Sequence, residues 1–206
     1  MNDAHASDLP MLTADEAWQR LMDGNRRYAA GQSIHPNLAP SRRAQVARGQ
    51  RPFATILGCV DSRVPPELVF DCGLGDLFVI RTAGQVLDRA ALGSLQFGVV
   101  ELGIPLLVVL GHQRCGAVQA AVESLERSEP APGDIAWLVE GLRPAVEQAR
   151  GQSGDRVDAA VRANIGRGVA QVRRSPLLAE AVAAGTLKII GARFDLDSGA
   201  VALTVP

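Results

Sequence analysis

Two short polar segments of the chain carry residues that can bind a metal ion. The first runs from Cys59 to Arg63 with the sequence CVDSR, and the second from His112 to Cys115 with the sequence HQRC. Each follows a short apolar run rich in β-forming residues, which predicts a buried strand before each segment. Open α/β sheets bind ligands in the crevice at the carboxyl ends of their strands. We therefore expect the two segments to meet in one site.

Two cysteines and one histidine form a ligand set that suits catalytic zinc. Cys59, His112 and Cys115 would occupy three positions of a tetrahedral ion and leave the fourth open, whereas structural zinc sites take four protein ligands. The chain has three histidines, and only His112 lies in such a segment. Cys115 stands near the start of a predicted helix, whose dipole favours a thiolate there. The sequence thus predicts a zinc site with one open position.

Asp61 allows two arrangements of this site. Because it lies two residues after Cys59, its carboxylate could take the fourth position on the metal and close the site. Alternatively, it could pair with Arg63 and accept a hydrogen bond from water on the zinc. The residues leave both arrangements open. The third cysteine, Cys72, has no ligand-type residue that completes a site, and we expect a buried thiol there.

The composition excludes several classes of protein. The chain has 206 residues, 47% of them hydrophobic and 21% charged, which suits one α/β domain with a substantial core. A net charge of −1 offers no basic surplus for nucleic acid. No apolar run has the length of a membrane span, and the N-terminus lacks the features of a secretory signal. Three cysteines also argue against a disulfide framework. We expect a cytoplasmic protein with neither nucleic-acid nor membrane partners.

Strand and helix patterns alternate along the chain in a way that would position the two segments. Strands are predicted at 53–58, 77–81 and 105–110, and helices at 13–30, 41–49, 88–102, 116–127, 135–150, 155–174 and 175–185. A closing hairpin is predicted at 187–196 and 200–205. This order predicts an α/β fold with a central, mostly parallel sheet flanked by helices and a C-terminal antiparallel edge hairpin. We expect a single domain over 1–206, with an N-terminal helical arm at 1–50 and an α/β core at 51–206.

The two segments resemble the signature of the β-class carbonic anhydrases, and of bacterial members in particular. That signature is Cys-x-Asp-Ser-Arg followed further along by His-x-x-Cys. The resemblance extends over about residues 11–204 and includes GCVDSRV at 58–64, GDLFVIRTAG at 75–84 and GHQRCGA at 111–117. It implies a lyase that reversibly hydrates carbon dioxide to bicarbonate and a proton through a zinc-bound hydroxide.

The resemblance also assigns roles to individual residues. It implies one zinc ion per subunit on Cys59, His112 and Cys115, with Asp61 and Arg63 as the catalytic pair. The implied substrate is a small molecule, carbon dioxide or bicarbonate, and the implied assembly is a homodimer or homotetramer whose pocket lies at the subunit interface.

Further positions match the substrate pocket of the family. Gln50, Phe78 and Phe97 correspond to residues that line a narrow pocket for carbon dioxide. Ile56 and Phe194 stand where some members have the Trp and Tyr of an inhibitory bicarbonate site, so the sequence leaves open whether this chain has that site.

Two other functions remain alternatives at this stage. One is a related hydrolase of carbon disulfide or carbonyl sulfide on the same scaffold. The other is a zinc-binding module without turnover, against which Arg63 argues because it would serve no purpose in a permanently closed site.

Overall fold

The computed structural model describes residues 12–206, which form a five-stranded sheet with helices on both faces. The strands are β1 (Ala54–Cys59), β2 (Leu77–Thr82), β3 (Leu106–His112), β4 (Lys188–Phe194) and β5 (Val201–Val205). Their order in the sheet is β2-β1-β3-β4-β5; the first four are parallel, and β5 pairs antiparallel with β4. The predicted fold class is therefore confirmed. The predicted start of the N-terminal arm, at 1–11, lies outside the described residues.

Eight helices within residues 12–206 surround this sheet. They are α1 (Ala14–Ala29), α2 (Pro40–Val46), α3 (Pro66–Val69), α4 (Arg89–Val100), α5 (Gly116–Arg127), α6 (Ile135–Ala149), α7 (Arg156–Arg173) and α8 (Pro176–Ala183). The sequence prediction missed α3 and the 3-10 turn at Ala83–Gln85, since such short elements carry no apolar period. None of the helices in this part of the chain combines the length and apolar character that a membrane crossing requires.

Helix starts follow the expected capping chemistry. Thr13 and Glu16 form a reciprocal capping box at the start of α1, and Asp88 accepts a hydrogen bond from the amide of Ala91 at the start of α4. The helix α8 begins with Pro176 directly after Ser175, where a proline costs no hydrogen bond.

The sheet separates two apolar layers. Every residue of β1 and β3 is buried, as expected for strands covered on both faces. Because side chains alternate along a strand, Ile56 and Val108 join the layer beneath α1, whereas Leu57 and Val109 join the layer beneath α5, α6 and α7. The strands β1 and β3 are thus packed on both faces, and their pairing brings their carboxyl ends side by side.

A buried carboxylate fastens the N-terminal arm to the core. Asp71 accepts hydrogen bonds from Arg27 Nε at 2.6 Å and from the amides of Ile34 at 3.1 Å and His35 at 2.9 Å. Its side chain is fully buried, and its backbone is left-handed with φ 45°. Asp71 therefore anchors the chain between α1 and α2, together with Asp76, which accepts from the side chain of Asn37.

Candidate metal centre

The structure brings the three predicted ligand side chains together at one edge of the sheet. Cys59 is the last residue of β1 and His112 the last of β3, and these strands are neighbours in parallel register, with Gly58 opposite Leu110. The Sγ atoms of Cys59 and Cys115 lie 3.9 Å apart. One ligand atom from each of the two cysteines and from His112 lies within 4.8 Å of the others, and all three residues are buried. The meeting of the two segments thus follows from the pairing of their strands.

The imidazole of His112 is oriented by a backbone carbonyl. Its Nδ1 lies 2.9 Å from the carbonyl oxygen of Gln113. When Nδ1 donates its proton to this oxygen, Nε2 presents a lone pair, and Nε2 is buried without a hydrogen-bond partner. Two sulfurs and an unpartnered imidazole nitrogen match the Cys₂His donor set of catalytic zinc sites, so these residues fit a zinc ion.

The two thiols influence each other strongly. The pKa of Cys59 is lowered to about 4, chiefly because the Cys115 thiol can donate to its sulfur, and burial opposes this effect. The pKa of Cys115 is raised because its thiol donates to the sulfur of Cys59, and burial and the charge on Cys59 add to this effect. A dication beside both sulfurs would favour both thiolates.

Asp61 pairs with Arg63 in the structure. Arg63 donates from Nε to Oδ1 at 2.9 Å and from Nη2 to Oδ2 at 2.7 Å, and its backbone amide also donates to Oδ1 at 2.9 Å. The side-chain bond from Arg63 is the largest of the influences that lower the pKa of Asp61 to about 2. Oδ2 lies 3.8 Å from Nε2 of His112, so the ionised carboxylate borders the three ligands. Of the two arrangements open from the sequence, the structure has the one in which Arg63 holds Asp61.

Two groups that the sequence reasoning did not place in the site support its first segment. Arg81 donates to the carbonyl oxygens of Cys59 at 2.7 Å and Asp61 at 2.6 Å, and the amide of Gly84 donates to Sγ of Cys59 at 3.3 Å. The run 75–84 that resembles the family contains both residues, which is the only signal that could have drawn attention to them. Arg81 donates to backbone carbonyls and Gly84 donates from its backbone amide, and residue types do not reveal where backbone groups point.

The predicted pocket residues lie on the surface or at the edge strand β2. Gln50 is exposed just before β1. Phe97 of α4 is 50% exposed and stacks on Phe78 of the edge strand β2, with ring centroids 6.3 Å apart. Ile56 and Phe194 are buried in the apolar layer under α1, and neither side chain has a polar atom that could bind an anion.

Cys72 stays apart from the metal centre. It is half-buried, its thiol donates to the carbonyl oxygen of Phe70 at 3.3 Å, and burial raises its pKa to about 12. A thiol in this state is a poor metal ligand and nucleophile.

Comparisons with known proteins agree with this geometry. A family model described as carbonic anhydrase matches residues 54–201. A carbonic anhydrase of Mycolicibacterium smegmatis is 45% identical and carbonic anhydrase 2 of Mycobacterium tuberculosis is 42% identical, each over 95% of both chains. Among solved structures, the Coccomyxa β-carbonic anhydrase in complex with acetazolamide is 27% identical with a TM-score of 0.70, over 89% of this chain and 84% of that one. A β-carbonic anhydrase of Aspergillus fumigatus is 28% identical with a TM-score of 0.69, over 90% and 89%. The chain therefore belongs to the carbonic anhydrase family, and its fold is that of the β class.

Proposed function

We propose that this protein reversibly hydrates carbon dioxide to bicarbonate and a proton, with one zinc ion per subunit bound by Cys59, His112 and Cys115. The observation that carries the proposal is the buried Nε2 of His112, which has no hydrogen-bond partner. A ligand nitrogen of this residue lies within 4.8 Å of two cysteine sulfurs. A buried polar atom without a partner is costly, and a metal ion at this position would remove that cost. Carbon dioxide hydration is favoured over the carbon disulfide alternative because the relatives are named carbonic anhydrases.

The chemistry that zinc supplies in such a site is a water molecule of lowered pKa, which is a nucleophile near neutral pH. Asp61 is ionised at that pH, and its Oδ2 lies 3.8 Å from Nε2 of His112. It can therefore accept a hydrogen bond from this water and orient it. Arg63 keeps the carboxylate in place through two side-chain hydrogen bonds, so that Asp61 does not become a fourth ligand.

Replacing each cysteine in turn tests the ligand assignment. We expect Cys59→Ser and Cys115→Ser to lose zinc and carbon dioxide hydration together, because serine is a much weaker zinc ligand than a thiolate. Cys72→Ser is the matched control, since it makes the same change outside the site and should keep both. Zinc content by mass spectrometry and hydration by stopped flow at pH 8.5 provide the measurements. Zinc-loaded wild type without hydration activity would overturn the proposed function and favour a zinc-binding module.

We further propose that the substrate pocket is completed by a second copy of the chain, with Gln50, Phe78 and Phe97 among its lining residues. Phe78 lies on the edge strand β2, and Phe97, which stacks on it, is 50% exposed. Val60, directly after a predicted zinc ligand, is 54% exposed. Exposed apolar side chains of this kind suit a homodimer or homotetramer interface.

A charge at this surface tests the assembly. Phe97→Lys should convert the oligomer into smaller species in light scattering after size-exclusion chromatography. Val182→Lys on α8 serves as control because it adds the same charge to an exposed apolar position on another helix. An unchanged mass for Phe97→Lys would contradict an interface at this surface.

We also propose a cytoplasmic location and a single domain over 1–206. The metal centre supports the location because it needs reduced cysteines, and such thiols persist in the reducing cytoplasm. Cell fractionation tests the location, and a single cooperative transition in urea tests the domain.

A further inference from the structure

A side chain on α7 holds the loop that contacts the predicted ligand sulfur. Asn164 donates from Nδ2 to the carbonyl oxygen of Gly84 at 2.7 Å. The amide of the same glycine donates to Sγ of Cys59 at 3.3 Å. Asn164 is therefore linked to Cys59 by two hydrogen bonds that share Gly84, and its own bond is to Gly84 rather than to a ligand atom.

Gln85 ties the same loop to the second segment of the site. In the orientation of its carboxamide that satisfies both polar groups, the nitrogen donates to the carbonyl oxygen of Gly84 at 2.9 Å, and the oxygen accepts from the amide of Gly111 at 3.3 Å. Gly111 directly precedes His112. The carbonyl of Gly84 is thus the point at which Asn164 and Gln85 converge, and both segments are linked to it.

Close packing leaves this loop with little freedom. Gly84 has φ 62°, and a Cβ atom there would lie 3.0 Å from Cδ1 of Leu142. A Cβ atom on Gly111 would lie 2.6 Å from Cδ1 of Ile165, the residue after Asn164 on α7. Hence α7 packs directly against the strand end that carries His112, and it also supplies the donor that holds Gly84.

We propose that Asn164 is a positioning residue for the metal centre: it holds Gly84 so that the amide of this glycine points at the sulfur of Cys59. The proposal rests on the zinc site proposed above. Gln85 shares the task by linking Gly84 to the backbone beside His112. Partners that orient metal ligands from outside the coordination sphere typically contribute about 10–100-fold to metal affinity or activity. We expect an effect of this size from Asn164, although it lies 80 residues away from Gly84 in the chain.

Zinc affinity, measured by competition with a chelator, tests this role. Asn164→Ala removes the donor, and Asn164→Asp keeps the shape of the side chain while placing an oxygen against the carbonyl of Gly84. Both variants should bind zinc about 10–100-fold more weakly than the wild type. Their cobalt-substituted forms should also show shifted thiolate-to-cobalt absorption bands, because the sulfur of Cys59 would lose its well-placed hydrogen bond from the amide of Gly84.

Asn25 provides a matched control for general loss of stability. It is a buried asparagine that also donates to backbone carbonyls, those of Val69 at 3.1 Å and Gly199 at 2.9 Å. Its side chain contacts no part of the metal centre. Asn25→Ala should lower the unfolding temperature but leave the zinc affinity and the cobalt spectrum as in the wild type.

The outcomes separate this inference from the function on which it rests. Wild-type zinc affinity and an unchanged cobalt spectrum in the Asn164 variants would overturn the positioning role, as would an equal loss of affinity in Asn25→Ala. Failure of the wild type itself to bind zinc would instead overturn the proposed metal centre. Should Asn164→Ala fail to fold, Asn164→Asp decides the question by the same two measurements, because it preserves the packing volume.

Discussion

Arg63→Met removes the side chain that holds Asp61 beside the proposed metal ligands. The variant loses the bonds from Nε and Nη2 to the carboxylate, at 2.9 and 2.7 Å, and a further bond of 3.1 Å from Nη2 to the carbonyl oxygen of Arg114. The backbone amide of residue 63 would still donate to Oδ1 of Asp61, so the carboxylate keeps one anchor. We expect its orientation to be loosened rather than its charge to be lost.

The magnitude of this effect follows from the exposure of the pair. Hydrogen bonds to charged groups contribute about 1.5–3 kcal/mol each in protected surroundings. The Arg63 side chain is 50% exposed, so solvent screening reduces the combined contribution to about 1–2 kcal/mol. If this contribution is fully used to orient Asp61 in the transition state, kcat/KM falls by about 5–30-fold. Arg63→Lys should show an intermediate loss, because lysine keeps the charge but not the planar fork.

Stopped-flow hydration of carbon dioxide, with zinc content measured on the same samples, checks this expectation. Arg143→Met is the matched control, because Arg143 forms the same two-bond fork with Glu140 on α6, at 2.8 and 2.6 Å. Its kcat/KM should stay within about twofold of the wild type, as expected for an exposed ion pair outside the site. A fully zinc-loaded Arg63→Met enzyme with wild-type kcat/KM would refute the role assigned to Arg63.

Three further substitutions address the stability of the protein. Gly84→Ala should destabilise the protein by about 1–3 kcal/mol, because φ is 62° and the new Cβ would meet Leu142 at 3.0 Å. Gly166→Ala should stabilise the protein by about 0.5–1 kcal/mol, because a Cβ at this position on α7 would lie in open space. Thermal unfolding of the metal-free variants measures both changes in stability. Burial raises the pKa of Asp71, but bonds from Arg27 and two backbone amides outweigh it and hold that pKa below its usual value. The stability from this carboxylate is therefore present above the unfolded pKa of about 3.9 and lost as the pH falls through the folded pKa. Asp71→Asn should lower the free energy of unfolding at pH 7 by about 3 kcal/mol. Between pH 6 and pH 3, the free energy of unfolding measured in urea should fall less for this variant than for the wild type. Equal falls in both proteins would contradict this account.

The cluster of Cys59, His112 and Cys115 was predictable from sequence because two of its residues end neighbouring strands and the third follows close behind. Cys59 and His112 each close a buried apolar run, and parallel strands bring such ends to the same edge of the sheet. Asp61 was more difficult, since its carboxylate could equally well have been a ligand. Only the distances to Arg63 distinguish the two arrangements, and distances depend on the turn that follows β1.

The supporting residues could not be predicted because their partners are backbone atoms or lie far along the chain. Arg81 binds two carbonyl oxygens, and residue types carry no information about where a carbonyl points. Asn164 meets Gly84 only because α7 packs against β3 and the 3-10 turn. The left-handed conformations of Gln85 and Arg114, with φ 51° and 50°, are likewise set by tertiary packing rather than by local preference.

One chain supplies all three proposed zinc ligands, whereas the proposed substrate pocket needs a second copy, and this difference has a physical consequence. Cys59, His112 and Cys115 are buried and braced from within the same subunit. Phe97, by contrast, leaves half its surface exposed, so the proposed apolar surroundings of the substrate require a second copy. Zinc binding and assembly should therefore separate in Phe97→Lys, which is expected to keep its zinc while losing activity together with the oligomer. Loss of zinc in that variant would show instead that the interface braces the ligands as well.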